Sequence, residues 1–397
     1  LMAMVIDRIT AGFAVRSGEY DPEKKTFVQK HRYWIVAILG AALFYVLAQI
    51  VGILNEWPLA WEISPAKAMN DGLTYLVVNF RDEIKAVKTF AFFFIMLPAK
   101  IGLQGAVSPF TWGFELTLVH KTTYAVAIAL LAGWATYKGR VQTSILILIF
   151  AILIYFGLTG IPWPALLLIC AVAGWKVGGR ALGLGTALGL GFIVVTGYWP
   201  EAMLSIYLCG IAVLISFVLG TAIGIWAAQN ERVSAIIRPF NDTLQTMPLF
   251  VLLIPFVMVF KIGEFTALLA IIAYAIVPAI RYSEHGLRSL PATVIEAATM
   301  IGATRRQMLW QVKIPLALPV MMLGLNQTIM YGIAMLVIAA LVGTNGLEQI
   351  VYIGLSDGNF GVGIIAGIGM AIIAIITDRM TNAWSRKRQQ ELGLSVT

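Results

Sequence analysis

The chain contains few charged residues, only two cysteines and only three histidines. Charged residues make up 12% of its 397 positions, about half the share found in soluble domains. Since hydrophobic residues make up 59%, we expect lipid to surround most of the chain. Cys170 and Cys209 each lie within an apolar run, which excludes a disulfide framework, and the scattered histidines have no metal-ligand spacing.

Signals of other protein classes are also missing. The sequence has no GxxxxGK(S/T) loop, so we expect this chain not to hydrolyse ATP and to need no cofactor of its own. Asp7, Arg8 and Arg16 interrupt the first stretch, so we expect no cleavable signal peptide. The net charge of +8 comes from basic residues between apolar runs, which indicates a lipid bilayer as partner and no nucleic acid.

Apolar runs predict an all-α polytopic membrane protein with about ten transmembrane helices. The predicted spans are 33–54, 122–137, 142–160, 163–175, 181–197, 203–228, 246–261, 265–281, 316–342 and 360–378. If the N-terminus is inside, 21 of the 28 basic residues face the cytoplasm. The positive-inside rule therefore predicts that both termini are cytoplasmic.

The segment 55–121 is expected to differ from a simple loop. Its apolar stretches, 73–80 and 90–97, are separated by five charged residues. We expect four residues after the second stretch to break any continuation of a helix: Pro98, Gly102, Gly105 and Pro109. We prefer an interfacial helix or a re-entrant hairpin to a span, because a span would place these charges in hydrocarbon. Tryptophans in this segment suit an interfacial belt: Trp57, Trp61 and Trp112.

A change in composition near Pro200 divides the chain into an N-terminal membrane scaffold, residues 1–200, and a core, residues 201–390. The glycine-rich stretch 178–189 does not fit a nucleotide-binding loop, because no strand precedes it and no Gly-Lys-Ser/Thr follows. We interpret Gly185 and Gly189 as a helix-packing face.

A polar segment at 296–315 interrupts the apolar second half and predicts a loop, 282–315, between two spans. Thr293 and Glu296 have the spacing of a capping box, so we expect a short helix to begin there. Gly302 allows a turn or a close backbone contact. An ordinary amphipathic loop is the alternative interpretation of these features.

The order Glu-Ala-Ala at 296–298, Gly302 and Val-Lys-Ile-Pro at 312–315 resembles the cytoplasmic coupling loop of membrane subunits of ATP-binding-cassette importers. From about residue 206 to 388 the chain is similar to permeases of the glycine betaine/proline branch of type I importers. The segments that carry this similarity are 244–248, 324–328, 337–343 and 378–381.

This resemblance implies a permease of the bacterial inner membrane that imports a betaine-like osmolyte, such as glycine betaine, choline or trimethylamine N-oxide. It implies a type I transmembrane domain with extra N-terminal spans and a second copy of the permease as a homodimer partner. It also implies an external substrate-binding protein and separate ATPase subunits that bind ATP and Mg. The residues that it assigns to ATPase coupling are Glu296, Ala297, Ala298, Gly302, Arg305 and Arg306.

Polar residues at membrane depth are candidates for the translocation pathway. Asn326 and Gln327 point about 100° apart on a helix, so we expect one to line the passage and the other to bond a neighbouring helix. Gln327 shares a face with Tyr331, which suits a methylated amine, whereas the face of Asn326 is apolar and suits packing. The predicted pathway residues are Gln245, Met247, Gln327 and Tyr331. For Glu348 and Asp357, docking of a binding protein and a plain solvated loop are equally good interpretations.

Two other function classes are weaker alternatives. An intramembrane enzyme needs paired carboxylates, a catalytic histidine or a metal set within its spans, and the sequence shows none. An autonomous secondary transporter or channel for a small polar solute predicts inverted repeats and charged residues at mid-membrane, whereas these spans are almost free of charge.

Overall fold

The computed structural model describes residues 27–52, 55 and 65–391, and every regular element in this part of the chain is helical. Its two compact units divide between Val78 and Asn79. Of the predicted segment 55–121, residues 56–64, which include Trp57 and Trp61, lie outside the described residues. The first unit contains α1 (Phe27–Ile50) and nearly all of α2 (Ala66–Asn79).

The second unit contains the remaining helices. They are α3 (Arg81–Ala91), α4 (Leu97–Ala106), α5 (Leu118–Tyr137), α6 (Val141–Phe156), α7 (Trp163–Val195), α8 (Trp199–Gln229), α9 (Glu231–Thr246), α10 (Leu249–Phe260), α11 (Glu264–Arg288), α12 (Ala292–Met300), α13 (Arg305–Gln307), α14 (Ile314–Ala339), α15 (Leu347–Ser356) and α16 (Phe360–Glu391). Short π-helical turns join α3 to α4 at Phe92–Met96 and α13 to α14 at Met308–Lys313.

Within the described residues, eight helical segments are long and apolar enough to cross a membrane, or nine if the bent pair α9–α10 is one span. This count agrees roughly with the predicted ten. The predicted span 246–261 is wrong in detail, because α10 has 12 residues and is bent by 102° from α9. A helix of that length rises about 18 Å, which is short of the ~30 Å hydrocarbon core.

Helix α7 contains two predicted spans, 163–175 and 181–197, and folds back on itself between them. Gly179 has φ +82°, and there the chain reverses direction. A Cβ on Gly183 would lie 2.8 Å from the Cβ of Trp175, and one on Gly174 would lie 3.0 Å from Thr186 Oγ1. Such contacts between residues 8 and 12 positions apart require two antiparallel arms, 163–178 and 180–195.

The segment Arg81–Ala106 is one of the eight candidate spans. Contrary to our expectation, the helix continues through Pro98, and the break occurs at Gly102, where φ is +77°. A Cβ at Gly102 would lie 2.3 Å from the carbonyl carbon of Phe156, so only glycine permits this approach to the end of α6. Our preference for an interfacial position of this segment stays a prediction.

The core lies between α8, α11 and α14, which pack through small residues. A Cβ on Gly220 of α8 would lie 2.6 Å from the Cβ of Ala279 on α11, and one on Gly324 of α14 would lie 2.6 Å from the Cβ of Tyr282. Such close backbone approach is the usual way for helices to associate in lipid. The predicted packing face on α7 is half correct: Gly189 contacts Ile372 of α16, whereas Gly185 faces open space.

Candidate functional site: the coupling segment and the polar residues of the core

The coupling segment, residues 289–313, connects α11 to α14 and is shorter than the predicted loop because α11 continues to Arg288. Its centre is the nine-residue helix α12, which begins after Pro291. The predicted capping box at Thr293 and Glu296 is wrong, because the N-cap is Pro291 and no side chain caps the helix. Thr293 and Glu296 have the i,i+3 spacing of a capping box, but Thr293 lies two residues after the N-cap, inside the helix.

A capping box does occur in this segment, at Thr304. Its hydroxyl accepts a hydrogen bond from the amide of Gln307, and the Gln307 Oε1 accepts one from the Thr304 amide at 2.9 Å. This cap starts a helical segment that runs from Arg305 to Val342. Helix α14 therefore extends without interruption into the coupling segment.

Gly302 ends α12 in a Schellman motif. The Ala303 amide donates to the Ala298 carbonyl at 3.1 Å, and the Gly302 amide donates to the Thr299 carbonyl at 2.9 Å. The φ of Gly302 is +84°, a conformation that residues with a Cβ rarely adopt. The turn expected at this glycine is confirmed.

Helix α12 and the turn after it expose an apolar edge. Met300 is 89% exposed, Ile301 is 88% exposed, and Trp310 in the π-helical turn Met308–Lys313 is 61% exposed. The predicted coupling residues surround them: Glu296, Ala297, Arg305 and Arg306 are exposed, as is Gly302, and Ala298 is half-buried.

An ion-pair network fixes the end of α11 beside this segment. The buried Glu284 carboxylate accepts hydrogen bonds from Ser234 Oγ at 2.6 Å and Arg238 at 3.2 Å, and it pairs with Arg288 at 3.1 Å. Arg288 also pairs with Glu231 at 2.7 Å. The network connects α9 to α11. It was not predicted from the sequence, although the i,i+4 spacing of Glu284 and Arg288 was a possible signal for one of its pairs.

The predicted pathway residues lie on two different elements. Gln245 is in the last turn of α9 and Met247 is the residue at the bend before α10; both are half-buried. Gln327 and Tyr331 are half-buried on α14, and the Tyr331 ring stacks on Tyr274 of α11 at 4.8 Å. Tyr274 did not emerge from the sequence, because no local pattern pairs it with Tyr331.

The interhelical hydrogen bond expected for one of the two adjacent amides belongs to Asn326. Its Nδ2 donates to Asp378 Oδ1 of α16 at 2.7 Å, and Asn382 donates to the same carboxylate oxygen at 2.9 Å. Asn326 is only 5% exposed. Asn326 therefore joins α14 to α16, while Gln327 occupies the less buried side of the helix.

Glu348 does not form the exposed docking loop that we considered, since it is 1% exposed. Its carboxylate accepts hydrogen bonds from Ser205 Oγ at 2.5 Å and the Gly346 amide at 3.2 Å. Burial raises the pKa of this carboxyl group above its ordinary value. Asp357 is exposed, so of the two acids only Asp357 remains available to a partner.

Two lysines attach the segment Arg81–Ala106 to the junction between α10 and α11. Lys88 Nζ donates to the Phe260 carbonyl at 2.9 Å, and Lys100 Nζ pairs with Glu264 at 2.6 Å. Asn345 Nδ2 also donates to Glu264, at 3.3 Å. This junction lies at the N-terminal end of α11, whereas the coupling segment follows its C-terminal end.

No group of three metal-binding side chains occurs among residues 27–52 and 65–391. The described part of the site offers helix packing, ion pairs and an exposed apolar edge.

Comparison with known proteins gives matches over most of the core. Residues 220–390 match the family model described as the binding-protein-dependent transport system inner membrane component. The glycine betaine/proline betaine transport system permease protein ProW of Escherichia coli is 40% identical over 229 residues, which are 58% of this chain and 65% of that protein. The chain thus spans slightly less than two thirds of that relative.

Two further relatives differ in how much of this chain they match. The glycine betaine transport system permease protein OpuAB of Bacillus subtilis is 40% identical over 225 residues, 57% of this chain and 80% of that protein. The trimethylamine N-oxide transport system permease protein TmoV of Ruegeria pomeroyi is 28% identical over 395 residues, 100% of this chain and 52% of that protein. The similarity to TmoV therefore includes the first half of the chain.

Proposed function

Because this chain belongs to the family of inner membrane components of binding-protein-dependent transport systems, we propose that it is the permease subunit of an ATP-driven importer of a betaine-like osmolyte. The chain is a multi-pass protein of the inner membrane. The single observation that carries the proposal is the exposed α12, which is held between a Schellman motif and a capping box.

The apolar edge of α12 is the proposed contact with a separate ATPase subunit, which would bind ATP and Mg. Ala297 and the half-buried Ala298 leave a low surface on which a cleft can close, and Met300 and Ile301 would fill apolar pockets. Arg305 and Arg306 would pair with acidic groups at the rim of that cleft. This end of the molecule, and both termini, would then be cytoplasmic.

The Glu284 network gives this contact a route into the membrane. Movement of α12 would be passed to α11 through residues 289–291, and α9 would follow because Glu284 and Arg288 bond it to α11. On the other side, the uninterrupted helix from Arg305 to Val342 would carry the same movement into α14. The bundle would therefore rock as a body.

The proposed passage follows the less buried side of α14, where Gln327 and Tyr331 lie beside Tyr274. An amide next to two stacked rings suits a methylated ammonium or an N-oxide, through cation–π attraction and a hydrogen bond. A second copy of the chain would close this side as a homodimer. The relatives' names supply the substrate class: glycine betaine, proline betaine and trimethylamine N-oxide.

The external substrate-binding protein would dock on the opposite end from α12. Residues 1–200 would act as a scaffold around the core, with Lys88 and Lys100 as its attachments to the α10–α11 junction.

The test is the substitution Gly302→Trp in the assembled transporter. It should abolish substrate-stimulated ATP hydrolysis, because a Trp disfavours φ +84° and obstructs the cleft contact. Gly139→Trp is the matched control: Gly139 also has a positive φ, +71°, and open space around it, but it lies outside the coupling segment. Normal stimulated turnover in Gly302→Trp would contradict the coupling assignment, and uptake without any ATPase would favour an autonomous transporter.

A further inference from the structure

A cleft of about 720 Å³ opens at the end of the bundle that carries the coupling segment. Its walls come from α6, the first arm of α7, the beginning of α14 and the end of α16. The cleft lies near the beginning of α14, because its lining residue Leu318 is only five residues after the π-helical turn Met308–Lys313. The cleft is separate from the stacked tyrosines and from α12.

Basic residues surround the mouth of the cleft. Lys176 comes from the end of the first arm of α7, and Lys387 and Arg388 come from the last turns of α16. Both lysines are exposed, and the Arg388 guanidinium pairs with Glu391 at 2.7 Å. Three positive charges and one carboxylate leave an excess of two positive charges at this point.

The deeper wall of the cleft is apolar. Ile145 and Leu146 on α6 are 48% and 54% exposed, and Leu168 and Val172 on α7 are 63% and 54% exposed. These side chains form a strip parallel to the two helices and lead from the basic mouth toward the middle of the bundle. Trp384, an amphipathic ring typical of the membrane interface, lies at the boundary between the two zones.

We propose that this cleft binds an anionic phospholipid of the adjacent leaflet. Lys176, Lys387 and Arg388 contact the headgroup phosphate, and one acyl chain covers the apolar strip between α6 and α7. The two zones occur in the order that a phospholipid requires, with charge at the interface and hydrocarbon below. Basic pockets between transmembrane helices are a recognised form of anionic-lipid site. A free phosphate ion would use the basic mouth but would leave the apolar strip uncovered.

The position gives the lipid a structural role. It would join the scaffold helices α6 and α7 to α14 and α16 of the core, and Glu391 would release Arg388 as the headgroup enters. This site is independent of the proposed transport function, since its evidence does not include α12 or the tyrosine pair.

The experiment is native mass spectrometry of the purified full chain with dioleoyl-phosphatidylglycerol or dioleoyl-phosphatidylcholine at equal concentration. The triple variant K176Q/K387Q/R388Q should lower the affinity for phosphatidylglycerol about fivefold for each charge removed. The control K138Q/R180Q/R386Q removes three exposed charges that do not line the cleft and should retain binding. Leu168→Trp, which fills the apolar strip and keeps every charge, should also weaken binding.

The outcomes separate this site from general charge attraction. Equal losses in the two triple variants, or equal binding of the two lipids, would overturn the proposal. Displacement of bound lipid by millimolar inorganic phosphate, with no effect of Leu168→Trp, would assign the site to a free anion instead. If the triple variant does not fold, the charge-conserving Lys387→Arg must retain phosphatidylglycerol binding and Lys387→Gln must lower it, or the proposal fails.

Discussion

At the scale of single residues, the carboxylates of this protein owe their roles to what surrounds them. Glu284 and Glu348 are both almost fully buried, yet the first bonds two arginines and a serine, whereas the second bonds a serine and a backbone amide. Glu284 therefore connects α9 to α11. Glu348 fixes the loop before α15, and its raised pKa reflects burial without a cationic partner.

We expect Glu284→Gln to destabilise the protein by about 2 kcal/mol, because hydrogen bonds to buried charged groups contribute about that amount. Thermal unfolding of the purified chain would measure this loss. Glu231→Gln is the control, since Glu231 pairs with the same Arg288 but its side chain is 73% exposed. Its effect should be clearly smaller, because an exposed ion pair contributes little, and equal effects of the two variants would contradict the role given to Glu284.

Accessibility on α14 gives a second prediction at this scale. In a background with Cys170 and Cys209 replaced, cysteine at position 327 or 331 should react with a water-soluble thiol reagent. Cysteine at position 326 should be protected, because Asn326 is 5% exposed and faces Asp378. Labelling at 326 together with protection at both 327 and 331 would reverse the pathway assignment.

At the scale of elements, three of the breaks in the helices occur at glycines with positive φ. Gly179 reverses α7, Gly302 ends α12, and Gly102 interrupts α4 at the contact with α6. Prolines have less effect here: Pro98, Pro278 and Pro319 all lie within helices. In a membrane protein neighbouring helices tolerate such prolines, which is why our expected break at Pro98 was wrong.

The hairpin of α7 can be tested with two glycines on the same arm. Gly183→Leu should destabilise the protein by about 1–3 kcal/mol, because its Cβ would lie 2.8 Å from that of Trp175. Gly185→Leu should have no such cost, since Gly185 has open space around it. Thermal unfolding in detergent would compare them, and equal midpoints would contradict the antiparallel arms.

At the scale of the whole molecule, part of the predicted scaffold packs with the core. The compact units divide between Val78 and Asn79, so residues 79–200 belong to the same unit as the core. Lys100 contacts Glu264, and Gly189 contacts Ile372. The functional boundary near residue 200 is one of composition and stays a prediction.

A chain truncated to begin near Tyr198 should therefore be less stable, because it loses Lys88, Lys100 and the second arm of α7. The fraction that assembles with its partners should still take up substrate, since the coupling segment and the tyrosine pair remain. Uptake into proteoliposomes, normalised to assembled complex, would measure this. Crosslinks that place residues 122–197 along the substrate pathway would contradict the scaffold role.

The sequence by itself determined the membrane class, the approximate positions of most spans, the exposed coupling segment and the turn at Gly302. Each of these follows from local quantities: hydropathy over about 20 residues, a polar interruption, and a glycine where φ must be positive. The family resemblance came from short motifs in the same regions, and the comparisons confirmed it.

Only the tertiary structure decided which polar residues meet. The Glu284 network, the pairing of Lys100 with Glu264 and the burial of Glu348 each depend on residues 46 to 164 positions apart, except for the i,i+4 pair with Arg288. The proposed lipid cleft also depends on residues far apart in the sequence, because its basic residues come from α7 and α16. Local patterns cannot specify such contacts, because they are set by how helices cross and not by the sequence around either partner.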